Sequence, residues 1–315
     1  MLTETQLDHF NREGYLVIED VLSADDRRAI FAEYDELLDR LFASWHKAGF
    51  VPKATPEMTF IEKLDIAYQS GFDWYQPLDI SLPHDGITED TPMHFGPAVF
   101  DMITHPRILD IAGSIIGPEL TSNPIQHVRT KPPERSVPKG ETRAHIVSTD
   151  WHQDRGVTLE TADETEMVTI WLAMTDATVE NGCLQVMPGP EPEMIPHCTL
   201  KQTGITPRLL PKRDAVPAPV PAGGAVIFHP LTPHSSLANN SDGYRWSFDL
   251  RYNVTGQATG RDHFPSFVAR SRAHPETEFR DWKAWRGMWE ETRSALANGA
   301  HIPQHRWASD GPYCA

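Results

Sequence analysis

"GGAVIFHPLTPHSSLANNSDGYRWSFDLRY", residues 223–252, joins two short apolar or aromatic segments through a run of Pro, Ser, Asn and Gly. The second segment sets the period. Tyr244, Trp246, Phe248, Leu250 and Tyr252 alternate with Arg245, Ser247, Asp249 and Arg251. Successive side chains of a strand point to opposite faces, so one face packs and the other is polar. Residues 239–243 are of types that tolerate turns, and the expected connection is a hairpin that sets Arg245 beside the strand carrying His234.

The same texture begins near residue 120. "TSNPIQHVRT", "EMVTIWLAMTD", "GCLQVMPG" and "GGAVIFHP" are short β-branched or aromatic runs between Pro, Gly and Asn turns, the pattern of an antiparallel sandwich or jelly roll. Upstream, residues 3–44 read as an amphipathic helix, a short strand in "GYLVIEDVL", and a second helix capped by Ser23. "HPRILDIAGSIIG" adds a helix stopping at Gly117, whereas residues 50–95 show little periodicity. Downstream, "PETEFRDWKAWRGMWEETRSALANG" has helical spacing through Phe279, Trp282, Trp285 and Trp289, an aromatic stripe that reads as packing. The expected fold is mainly β with flanking helices: a double-stranded β-helix (jelly roll, cupin-like) core with N-terminal and C-terminal helices. One domain covers 1–315, with a helical opening at about 1–118, the core at about 119–256 and a helical extension at about 257–315.

Composition narrows the function. A chain of 315 residues with 39% hydrophobic content can bury a substantial core. Its apolar runs fall short of the roughly 18 residues a membrane span needs, and no basic stretch precedes an apolar one at the start, so a cytoplasmic, unprocessed chain is expected. Three scattered cysteines, Cys183, Cys198 and Cys314, read as small buried or surface thiols in a reducing compartment. A net charge of −16 argues against nucleic acid and anionic membranes as partners. One basic cluster stands out, Arg129, Lys131, Arg135, Lys139 and Arg143; a solvated loop and an anion-steering lid are both open readings.

"TDWHQDRG", residues 149–156, holds His152 and Asp154 one residue apart. About two His-x-acid triplets are expected by chance in this composition, and the chain has two, so context must decide. The other, in "HPE" at His274, places Glu276 at a helix start, where negative charge is favoured anyway. A non-haem iron site needs two imidazoles and one carboxylate on one side of the metal. Two histidines are candidates for the third ligand. His229 follows an apolar run and suits a core position; His234 sits at a strand end among small polar residues, where a metal can be reached. Fe(II) with two neutral histidines and an aspartate carries a formal +1 charge. A dianionic 2-oxo acid chelating it leaves a far carboxylate that calls for an arginine fork. Arg245 is the candidate, with Arg251 as an alternative six residues along, about 20 Å at strand rise.

These residues resemble the phytanoyl-CoA dioxygenase family of Fe(II)- and 2-oxoglutarate-dependent oxygenases. The likeness covers roughly 3–255: the opening "LTETQLDHFNREGYLVIEDVLS", "KPP" at 131–133, "WHQD", "VTIWLAMTDATVENGCLQVMPG", and His-x-Ser-x-x-Asn-x-Ser with Arg245 eleven residues after His234. It implies His152, Asp154 and His234 as iron ligands and Arg245 as the salt-bridge partner of 2-oxoglutarate. Ser236, Lys131 and Gln126 are further candidate co-substrate contacts. The implied reaction converts 2-oxoglutarate and O2 to succinate and CO2 while hydroxylating a C–H bond. Related halogenases replace the metal carboxylate with a small residue, so Asp154 points to oxygenation. Pro188-Gly189-Pro190-Glu191 and Gly223-Gly224 depart from the usual pattern, near loops that shape the substrate site. Candidate substrate-facing residues are Trp171, His94, Phe95 and Arg143, and the expected substrate is a small molecule, not a long-chain acyl-CoA. A non-oxidative jelly-roll isomerase and a non-catalytic binding module are the alternatives. Oligomeric state is left open.

Overall fold

Short β-branched runs between Pro and Gly turns become strands. The computed structural model describes residues 1–72, 74–144, 146–300, 302–303 and 306–314. Among them the strands are β1 (Tyr15–Ile18), β2 (Leu120–Lys131), β3 (Met167–Ala173), β4 (Leu184–Val186), β5 (His197–Cys198), β6 (Gly204–Ile205), β7 (Val216–Ala218), β8 (Ala225–Phe228), β9 (His234–Ser236), β10 (Arg245–Val254) and β11 (Phe267–Arg270). The helices are α1 (Glu4–Glu13), α2 (Ala24–Lys47), α3 (Phe60–Gln69), α4 (Pro97–Ile103), α5 (Pro106–Ile116) and α6 (Trp282–Asn298).

A six-stranded sheet in the order β1-β8-β3-β10-β2-β11 faces a three-stranded sheet in the order β7-β4-β9, and neighbouring strands within each are antiparallel. The alternation read in "RWSFDLRY" decides what lies on each side. Trp246, Phe248, Leu250 and Tyr252 join Ile170, Leu172 and Ile227 in the core beneath the helices. Trp171, Ala173, Val226 and Phe228 face Leu184, Val186 and Ala218 of the smaller sheet. The fold is a double-stranded β-helix with helices on one side.

The expected hairpin is not there. His234 lies on β9 in the small sheet and Arg245 on β10 in the large one, so the connection crosses between sheets. Its turn residues act as such: Asn239 accepts from the Ser241 N–H at 3.0 Å and donates to Lys131 O at 3.1 Å and Gly243 O at 2.7 Å. Turn chemistry fixes the reversal but says nothing of whether the flanking strands pair or face each other.

Ser23 caps α2 reciprocally with Asp26, and α5 stops at Gly117, where φ is +91°. Pairs Thr3/Gln6 and Thr59/Glu62 cap α1 and α3 in the same way. Helices α3 and α4 lie where little periodicity was visible, or just after it, and β11 extends the sheet beyond the expected core. The late helix begins at Trp282, not near Pro275, because the Asp281 side chain takes the Lys283 and Ala284 N–H groups. Phe279 precedes the helix, its N–H bonded to Val268 O at 2.9 Å. Trp285 and Trp289 are buried in the chain's own core, where Phe95 stacks on Trp289 with centroids 5.0 Å apart.

The cysteine reading is corrected: Cys198 and Cys314 form a disulfide, and only Cys183 is a free, buried thiol. The pairing joins β5 to the C-terminal segment across 116 residues, which spacing alone does not suggest. Among the described residues no helix is long and apolar enough to cross a membrane.

Candidate metal centre and co-substrate site

His152 and His234 are direct cross-strand neighbours. Each N–H bonds the other's carbonyl, at 3.0 and 2.9 Å, which sets the two imidazoles side by side with centroids 4.2 Å apart. Asp154, two residues after His152, opens a short 3-10 turn and points its carboxylate back to the same side. Its Oδ1 lies 3.9 Å from both His Nε2 atoms, and the three ligand atoms are all within 4.8 Å of one another. Bonds of about 2 Å to one ion hold such atoms roughly 3 Å apart, so the three need only a small inward shift to close on it.

Outer contacts fix the ligand atoms. His152 Nδ1–H donates to Asp150 O at 2.8 Å and His234 Nδ1–H to Thr232 O at 3.0 Å, which directs both Nε2 lone pairs inward. Burial, and then His234 nearby, holds the His152 imidazole well below its ordinary pKa, so it stays a neutral donor. Burial alone raises an aspartic acid, yet Arg251 and then the two histidines pull Asp154 below the usual carboxylate range. Asp154 Oδ2 is buried without a hydrogen-bond partner. Two imidazoles with inward-facing Nε2 atoms, an ionised carboxylate and an orphaned oxygen fit a hard-to-borderline divalent ion such as Fe(II). Phe228 stacks on His234, ring centroids 4.3 Å apart, and lines the same pocket.

Across the same pocket sits a buried cation, Arg245, with a second, Lys131, beside it. Arg245 and Lys131 are register partners on β10 and β2, both 1% exposed. Neither has a carboxylate partner among the described residues: Arg245 Nη1 donates to Gly182 O at 2.6 Å, and Lys131 Nζ to Ser236 Oγ and Leu237 O at 2.7 Å each. Arg245 Nε has no partner at all. Burial and Arg129 bring the Arg245 pKa down to about 10, and burial with Arg245 holds the Lys131 ammonium well below its usual value. A second anion is what this end of the pocket lacks. Gly182 holds its carbonyl there with φ +86°, where a side-chain carbon would meet Leu237 O at 2.5 Å.

The expected site residues fall into three groups. His152, Asp154, His234, Arg245 and Ser236 line one pocket, with Lys131 donating into it through Ser236. Trp171 lies at the cationic end of that pocket, its ring 4.9 Å from the Arg245 guanidinium. Arg143 lines a larger adjoining cavity of about 670 Å3, which shares Arg129, Thr149, His152 and Arg251 with the metal pocket. Three candidates are elsewhere. Gln126 shares the face of core residue Val128 and donates to Ile80 O at 3.2 Å. His94 Nε2 meets Glu33 at 2.9 Å and Phe95 stacks on Trp289, so both build the helical packing. His229 takes the Leu231 N–H at 3.2 Å and is a structural histidine. His274 and Glu276 form an exposed pair at 3.3 Å.

Sequence reasoning missed the brace on the metal carboxylate. Arg251, weighed only as a substitute for Arg245, is 4% exposed and bonds Asp154 Oδ1 directly. Alternation already placed it on the site face. Arg129, read within a basic loop, pairs with Asp249 across the same sheet.

The sequence matches the family profile described as phytanoyl-CoA dioxygenase (PhyH) over residues 10–247. The chain belongs to the phytanoyl-CoA dioxygenase family. Phytanoyl-CoA dioxygenase domain-containing protein 1 of Danio rerio is 27% identical over 273 residues, spanning 78% of this chain and 88% of that protein. Two solved structures share the fold. The non-heme monooxygenase ThoJ aligns with TM-score 0.58 at 17% identity, covering 93% of this chain and 98% of that one. The epimerase SnoN, in complex with Fe3+, alpha ketoglutarate and nogalamycin RO, aligns with TM-score 0.52 at 21% identity, covering 82% and 86%. Family membership and the His-Asp-His triad make this member of the phytanoyl-CoA dioxygenase family a 2-oxoglutarate-dependent non-haem iron enzyme.

Proposed function

We propose that the chain hydroxylates a small-molecule metabolite. His152, Asp154 and His234 hold Fe(II); Arg245, aided by Lys131 and Ser236, holds the far carboxylate of 2-oxoglutarate. Bound iron and 2-oxoglutarate supply the oxidising power, so that R–H, O2 and 2-oxoglutarate become R–OH, succinate and CO2, with one oxygen atom in succinate and one in the product. The protein's own part is placement. Arg251 aims the Asp154 carboxylate, the outer carbonyls set the imidazole tautomers, and the Arg245 fork orients the co-substrate. The adjoining cavity of about 670 Å3 is of a size that holds a small molecule.

The observation that carries this reading is buried Arg245, which has no carboxylate partner among the described residues and faces the triad across one pocket, with buried Lys131 beside it as its register partner. A redox-silent isomerase or a non-catalytic module with the same three ligands has no use for that charge. Turnover under 18O2 tests it: one labelled oxygen is expected in succinate and one in the product. An altered product without label, formed with no succinate, contradicts hydroxylation.

A further inference from the structure

We propose that Arg261 anchors a carboxylate of the primary substrate, so that the enzyme acts on small organic acids. This rests on the oxygenase reading above and names its substrate class. Arg261 lies on the wall of the large cavity that His152 and Arg251 also line, yet it is only 2% exposed. Its Nη2 donates to Val157 O at 3.1 Å; its Nη1 has no partner, and no carboxylate pairs with it among the described residues. The other buried arginines on this wall are matched, Arg129 by Asp249 and Arg251 by Asp154. The charged neighbour that acts on Arg261 is Arg251, a second cation, and burial with that repulsion brings its pKa down to about 10. A buried cation without a counter-ion is strongly unfavourable, and something must hold it in place.

The loop after β10 does so. Gly260 adopts φ +75°, and a side-chain carbon there would meet Thr158 at 2.6 Å. Leu159 N–H donates to Gly260 O at 3.1 Å, Arg261 N–H to Thr259 Oγ1 at 3.1 Å, and Phe264 N–H to Arg261 O at 2.8 Å. The guanidinium is therefore preorganised on the side of the cavity that carries Arg251 and, through it, the metal carboxylate. One unmatched positive charge calls for one negative charge, and a guanidinium fork takes a carboxylate in two parallel bonds. A phosphate ester brings about two charges; of the other Arg and Lys residues lining this cavity, Arg129, Arg143 and Arg251 are paired with carboxylates and Lys201 is exposed.

The test compares wild type with Arg261→Met and Arg261→Lys, each loaded anaerobically with Fe(II) and 2-oxoglutarate. Carboxylic acids from acetate to dodecanoate, and benzoate, are assayed against their primary amides for thermal stabilisation, then for stimulated succinate formation in air. Some acids and none of the amides should raise the wild-type Tm and stimulate turnover. Arg261→Met should weaken those acids about tenfold to a hundredfold, keep the KM for 2-oxoglutarate, and melt at or above the wild-type temperature; Arg261→Lys should recover part of the binding. Equal response to amides, no acid with any effect, a parallel rise in the 2-oxoglutarate KM, or a lowered Tm in Arg261→Met would each overturn the assignment. Wild type lacking the visible iron chelate with 2-oxoglutarate would instead overturn the oxygenase reading beneath it.

Discussion

At the scale of single residues, the two arginines on one face of β10 have separate tasks. In the proposed function Arg245 takes the distal carboxylate of 2-oxoglutarate, so Arg245→Gln should raise the 2-oxoglutarate KM about tenfold to a hundredfold, with iron affinity little changed. Arg251 braces Asp154, so Arg251→Gln should weaken iron binding about 10- to 100-fold and spare the 2-oxoglutarate KM at saturating iron. Equal losses in both constants for both variants would contradict the division. The triad is legible in the sequence only through its context: His-x-acid spacing occurs twice, as chance predicts, and it is the surrounding strand pattern and the family resemblance that single out His152, Asp154 and His234. Arg251's task is not, because it depends on a bond between residues 97 apart. A pH effect belongs here too. His197 Nε2 accepts the Gln153 N–H at 2.9 Å, between the first two metal ligands, and so must be unprotonated. Burial brings its pKa down to about 4, against about 6.5 when free. Between those values the unfolded chain takes up a proton that the folded chain refuses. The stability it contributes is therefore complete above about pH 6.5 and is lost as pH falls toward 4. Urea unfolding at pH 7 and pH 5 should show a smaller pH-dependent loss for His197→Gln than for wild type; identical losses would remove His197 as the cause.

At the scale of elements, period-two alternation gave the correct faces of β10, and cap chemistry gave the start of α2 and the end of α5. What stayed hidden was connection. A turn-rich run between two strands reads as a hairpin whether the strands pair or face each other, and here β9 and β10 belong to different sheets. The Cys198–Cys314 disulfide is hidden for the same reason, as a contact made only by the folded chain. It ties the C-terminal segment beside the metal loop, where the Trp307 ring lies 5.5 Å from His197 and its Nε1–H donates to Gly156 O at 2.7 Å. Cys314→Ser should lower unfolding free energy by about 2–5 kcal/mol, and dithiothreitol should shift the urea midpoint of wild type but not of the variant. A reductant effect of the same size on both proteins would contradict this account.

At the scale of the whole molecule, one apolar core runs from Phe10 in α1 to Trp289 in α6 and supports the outer face of the larger sheet, while the inner faces of the two sheets hold the chemistry. Periodicity alone leaves open whether the tryptophan-bearing helix docks on its own chain or on another; the structure buries Trp289 against Phe95 and Phe264 of the same chain. Trp289→Ala should cost about 3–5 kcal/mol of stability, independent of protein concentration, and a loss that grows on dilution would instead point to an intermolecular seat. Residues far apart in sequence, at 152, 154, 234, 236 and 245, reach one pocket only because the jelly roll returns the chain to it. Anaerobic titration of 2-oxoglutarate into the Fe(II)-loaded protein, followed by visible absorption, tests that convergence most directly. A saturable charge-transfer band in wild type, shifted to higher 2-oxoglutarate concentration in Arg245→Gln and lost in His234→Ala, is the predicted result; no band in wild type, or a band that survives in His234→Ala, would contradict it.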